Sequence, residues 1–357
     1  MIYKPDLDEA KRYWRAFWEK EVLDRPTMCV TAPKDGTEYK PYGLSPAANY
    51  FACMNDEWDV HLSKLEASME STWYGGEAMP WLEITLGPDV YGAFLGARLE
   101  ARRGEHTTWS KPVWDGELAQ YSAALDTSEG GAFDTVRRVY RRLADWSENK
   151  CLLGMLDYHT HLDALCALRD PMDVCMDVID DPENLSRVLD EIAAAYVPVF
   201  EALYADGRMA QRGSLGWAPT YLEKGRFAVV SCDYSCMLSP EQGRKFFLPY
   251  VRQEVEYLDH CVYHLDGKGA LQHLDELLAI PGIDCIQWVP GDGQPRSIEW
   301  MELLKKIQSA GKSVWIYDWT PEEIRIRFRE LDPAKTVFSV HCSTQREGEQ
   351  LLRDVKL

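Results

Sequence analysis

The chain has 357 residues, 46% hydrophobic and 27% charged, the composition of a globular protein with a large core. Its formal net charge of −19 repels phosphate backbones and anionic membrane surfaces, so neither nucleic acid nor a membrane is expected as a partner. Ten cysteines are scattered without a C-x-x-C pair, which points to a reducing, cytoplasmic compartment and not to a disulfide framework.

The first residues, MIYKPDLDEAKRYWRAFWEKEVLDRP, are charged and amphipathic and lack the apolar run of a signal peptide. No apolar stretch approaches the roughly 18 residues of a membrane helix. Residues 33–50 carry Pro33, Gly36, Pro41, Gly43 and Pro46 and read as an irregular surface connection or a lid. From residue 151 onward the chain alternates. Short apolar runs at 151–156, 226–232, 261–265, 284–289, 313–317 and 336–342 read as buried strands. Helices are expected over 182–205, 240–258 and 321–331, each opened by a capping side chain, a Pro and first-turn acids. Thr344 and Glu347 form a capping-box pattern for a last helix. Strands alternating with helices imply parallel βαβ units, and no G-x-G-x-x-G follows a strand. Length and strand count favour an α/β (β/α)8 TIM barrel. It would be a single domain over 1–357, with 1–110 as a helical and irregular N-terminal elaboration and cap.

In such a barrel the chemistry sits at the C-terminal strand ends. His264 and Asp266 stand two apart on one strand and point to the same side. With Cys342 at the end of the last strand they make an imidazole, carboxylate and thiolate set suited to zinc. Each also has a plain role available: a hydrogen-bonded strand-end histidine, a turn residue before Gly267, and a small buried apolar side chain. His159 and His161, bracketed by Asp157 and Asp163, form a rival pair. Asp233 and Asp157 are the candidate catalytic carboxylates, and His159, Tyr234 and Tyr317 the candidate substrate contacts.

The run Cys232-Asp233-Tyr234-Ser235 through Leu238-Ser239-Pro240-Glu241, then Phe247-Leu248-Pro249-Tyr250, resembles the uroporphyrinogen decarboxylase superfamily. So do Asp181-Pro182-Glu183 and His264-Leu265-Asp266-Gly267 with the following unit that ends in IDCIQWVPG. The resemblance runs over residues 60–355 and implies a TIM barrel. The decarboxylases of that superfamily carry an Arg-containing N-terminal signature of the F-M-R-Q-A-G-R-Y kind. Here the region reads RYWRAFWEKEVLDRPTMCVTAP, and the signature is absent.

The superfamily's cobalamin-dependent methyltransferases hold zinc with His-x-Cys and a distant Cys. His264 and Cys342 match two of those ligands, and Asp266 stands in place of the first Cys. A carboxylate in that place leaves a harder, more Lewis-acidic centre. The resemblance therefore implies a corrinoid-dependent methyltransferase that demethylates a small methylated substrate, an aryl methyl ether or a methylamine. The methyl group would pass to cob(I)alamin on a partner corrinoid protein, since the chain has no D-x-H-x-x-G signature of its own. The alternatives are transfer from a methylcorrinoid to tetrahydrofolate or a thiol, and a metal-independent carboxy-lyase. A homo-oligomer is left open.

Overall fold

The computed structural model describes residues 1–218 and 220–357. Its strands, in chain order, are β1 (Thr27–Pro33), β2 (Thr72–Gly76), β3 (Trp81–Leu82), β4 (Arg98–Glu100), β5 (Trp109–Lys111), β6 (Leu152–Leu153), β7 (Phe227–Ser231), β8 (His260–Asp266), β9 (Cys285–Val289), β10 (Ser313–Ile316) and β11 (Thr336–His341). The six late strands fall where the apolar runs place them. Seven strands form one sheet in the order β2-β1-β11-β10-β9-β8-β7. Its pairs are parallel apart from β1 with β2. A separate parallel pair joins β3 to β6, and β4 with β5 makes a small antiparallel ribbon.

The fold is thus α/β with a largely parallel sheet, but the ladders do not run round a closed ring of eight. Among the described residues no ladder joins β2 to β3 or β6 to β7. A single bond reaches into the second gap: Met155 N donates to Leu215 O at 2.7 Å. Pro80, with no N–H to give, precedes β3, and Gly154 follows β6 beneath the Trp81 ring, where a Cβ would lie 2.9 Å away.

Strand alternation gives the sheet two apolar faces, as a parallel sheet requires. Cys29, Val229, Val262, Cys285, Trp315 and Val337 pack on one face with the N-terminal helix Leu7–Trp18. Val30, Leu265, Ile286, Ile316, Phe338, Val340 and Cys342 belong to the other core, under the surrounding helices. The N-terminal helix closes the bottom of the sheet. Trp18 Nε1 donates to Tyr221 O at 2.9 Å, and its ring stacks 4.6 Å from His260, the first residue of β8. The connection after β1 reaches the opposite end, where Tyr39 stacks 6.0 Å from His341.

Two expected helices are each divided. The 182–205 span becomes Pro182–Ala194 and Tyr196–Asp206, because Pro198 cannot donate to Ala194. The 240–258 span becomes Pro240–Phe246 and Leu248–Tyr257, with Pro249 as the cause. The 321–331 helix ends at Arg327 and tightens into a 3-10 turn over Phe328–Glu330. Among the described residues no helix is long and apolar enough to cross a membrane.

Candidate metal centre

The period of two along β8 carries Val262, His264 and Asp266 to one face of the sheet. Asp266 ends the strand, and Gly267 turns the chain with φ +74°. Across the register, His264 faces Gln287 of β9, and its Nδ1 lies 2.5 Å from Gln287 Oε1. In the neutral ring, with the Gln287 oxygen facing it, Nδ1 is the donor and Nε2 keeps a lone pair. That nitrogen lies 3.9 Å from Asp233 Oδ1. Asp233 opens a short 3-10 helix just past β7 and is 43% exposed, yet its Oδ1 is shut off from solvent without a hydrogen-bond partner. One ligand atom each from Asp233, His264 and Asp266 lies within 4.8 Å of the others.

A second group shares Asp233. His159, on the irregular stretch after β6, has Nδ1 at 3.3 Å from Asp163 Oδ2 and 3.5 Å from Asp233 Oδ2. Its Nε2 is 3.4 Å from Asp157 Oδ1. Asp163 is anchored by two backbone donors, Asp233 N at 2.9 Å and Tyr234 N at 2.8 Å. The electrostatics are uneven. Burial opposes charge on His159, but Asp157, Asp163 and Asp233 outweigh it and raise the imidazole well above its usual range. Burial also works against the Asp163 carboxylate, yet His159 and the two N–H groups hold it low. Asp233 is pushed up, by burial first and then by Asp163 and Asp266, against the pull of His159 and His264. Glu83, half-buried beside Asp157, is raised to about 7, by desolvation first and then by the Asp157 charge.

The structure brings His264 and Asp266 together and does not bring Cys342 to them. Parity decides this: Ser339 and His341 take the His264 side of the sheet, and Cys342 takes the helix side with Phe338 and Val340. Its thiol is pushed up to about 11 by burial, with Glu347 and Arg325 of the outer helices as its charged neighbours. His341 bonds Thr31 Oγ1 at 3.0 Å. The rival pair separates, because the chain turns into a helix at Thr160. His161 has φ +53° and places Nε2 2.9 Å from buried Glu254. Tyr234 also faces away, with its hydroxyl 2.9 Å from Cys175 Sγ. Tyr317 lines a cavity of about 540 Å³ with Asp266, Gly291, Asp292 and Asp318.

Two contributors lay outside the expected set. Gln287 is the only polar side chain within the apolar run CIQWV of β9, a signal that strand parity makes readable. Trp217, whose ring lies 5.1 Å from His264, sits on a connection with no periodic pattern to mark it.

The fold as a whole has a counterpart among solved structures. A methyltransferase from Methanosarcina mazei superposes with a TM-score of 0.61 over 97% of this chain and 98% of its own, at 10% sequence identity. That likeness is one of fold. No family model and no curated protein matches the chain.

Proposed function

We propose that this chain is a corrinoid-dependent methyltransferase that demethylates a small methylated substrate, with zinc held by Asp233, His264 and Asp266. One observation carries the reading. The lone pair of His264 Nε2 and the orphaned Asp233 Oδ1 face each other, two acceptors with no donor between them. That arrangement suits a cation. The Gln287 contact sets the imidazole for it, as an outer partner does for a ligating histidine. One nitrogen and two carboxylate oxygens suit zinc, and they make a harder set than the thiolate ligation implied by the superfamily resemblance.

When bound, zinc supplies Lewis acidity that makes a demethylated oxygen or nitrogen a better leaving group. The chain's own groups do the rest. Asp157 and Asp163 orient His159 beside the centre. Glu83, at about 7, holds or releases a proton near neutral pH. Tyr317 and the cavity beside Asp266 receive the substrate. The methyl acceptor is cob(I)alamin on a partner corrinoid protein in the cytoplasm. In the same reading β1, β3, β6, β7, β8, β9, β10 and β11 are the eight staves of a (β/α)8 barrel with the centre at its C-terminal mouth. A carboxy-lyase is less well served. Two imidazoles and two carboxylates act on Asp233, while Arg25, Arg169 and Arg296 are each spent on a carboxylate elsewhere.

The test is spectroscopic. The zinc-loaded chain, cob(I)alamin and a panel of aryl methyl ethers and methylamines should give methylcobalamin with at least one compound, and His264→Ala should give none. Full transfer by His264→Ala would sink the assignment.

A further inference from the structure

We propose that the strand-end cluster holds two divalent cations bridged by the Asp233 carboxylate, the second on His159 and Asp163. This rests on the metal reading above and extends it. The two oxygens of Asp233 are divided: Oδ1 faces His264, and Oδ2 faces His159. Each imidazole is approached from outside at one nitrogen, His264 Nδ1 by Gln287 and His159 Nε2 by Asp157. Each turns its other nitrogen toward Asp233. Each half then adds one further carboxylate, Asp266 or Asp163, so the arrangement repeats on both sides of a shared ligand.

The distances at His159 Nδ1 are longer than charge-assisted hydrogen bonds and match those between neighbouring ligand atoms of a coordination shell. A charge-assisted N–H···O bond spans about 2.7–2.9 Å. His159 Nδ1 stands 3.3 Å from Asp163 Oδ2 and 3.5 Å from Asp233 Oδ2. On the outer side, Asp157 Oδ1 lies 3.4 Å from Nε2 and is buried without a hydrogen-bond partner. Ligand bonds of ~2.1 Å in a tetrahedral shell put neighbouring ligand atoms ~3.4 Å apart. Asp163 is not exhausted by its two backbone donors, because each carboxylate oxygen keeps a second lone pair.

Chelator-stripped full-length chain is loaded with Co²⁺ alone, and bound metal is counted after gel filtration. Two cations per wild-type chain are expected, falling to one in His159→Ala and one in His264→Ala. A second readout needs no variant: Mn²⁺-loaded wild type should give an exchange-coupled paramagnetic resonance spectrum. One cation per wild-type chain, unchanged in His159→Ala and without coupling, would overturn the second site and leave the first standing. No bound cation at all would overturn both.

Discussion

At the scale of single residues, Gln287 decides what His264 can do. By accepting a hydrogen bond from Nδ1–H it leaves Nε2 of the neutral ring as an acceptor toward Asp233. Gln287→Ala releases the ring, and zinc affinity measured by competition titration should fall about 10–100-fold with the fold unchanged. Glu83 makes a separate prediction. Its carboxyl is raised from 4.5 to about 7, chiefly by burial. Between those values the native chain keeps a proton that the unfolded chain has lost, so stability falls as pH rises through that window. Glu83→Gln should flatten the change in Tm between about pH 5 and about pH 8. An unchanged slope would place the titration elsewhere. His264 and Asp266 were legible in the sequence because residues two apart on a strand share a face. Cys342 was misplaced by the same rule: it directly follows His341, and that one step moves it to the helix side. His159 lies on an irregular stretch and Asp163 in the first turn of the helix His161–Leu168, and no shared period links either to Asp233, so their meeting was not readable.

At the scale of elements, local chemistry was the most legible part. Asp181, Ser239, Thr320 and Thr344 each cap a helix as their sequence patterns indicate. The capping box is complete at Ser239 and Thr320, whereas Glu347 reaches back to Ser343 N instead of Thr344 N. The divided helices were less legible, because the apolar stripe runs on past Pro198 and Pro249 while the hydrogen-bond ladder does not. Close packing adds a constraint that no pattern shows. A Cβ on Gly243 would lie 2.6 Å from the ring of His273, which is buried and bonded to Ser235 O at 2.9 Å. Gly243→Ala must therefore shift a fixed imidazole. It should cost about 1–3 kcal/mol in denaturant unfolding, although alanine is the better helix former.

At the scale of the whole molecule, the N-terminal region is tied to the sheet by a buried charge pair. Arg25 donates to Glu77 in a fork at 2.7 and 2.9 Å, and Met28 N of β1 donates to the same carboxylate at 2.8 Å. Burial keeps the Glu77 carboxyl above its usual range even with that support. Arg25→Ala leaves it buried without its cation, and should lower unfolding stability by about 3–5 kcal/mol. Alternation and length made the parallel α/β class legible. The broken ladders at β3 and β6 were not, because no periodic signal in the sequence marks where pairing stops. The strand ends still assemble one acid-rich centre from three separate stretches of chain. The sharpest discrimination is the zinc content of Asp233→Ala and Cys342→Ala, purified and dialysed in parallel. Zinc lost from Asp233→Ala and kept by Cys342→Ala is the expected result. Zinc kept by Asp233→Ala and lost from Cys342→Ala would contradict the site described above.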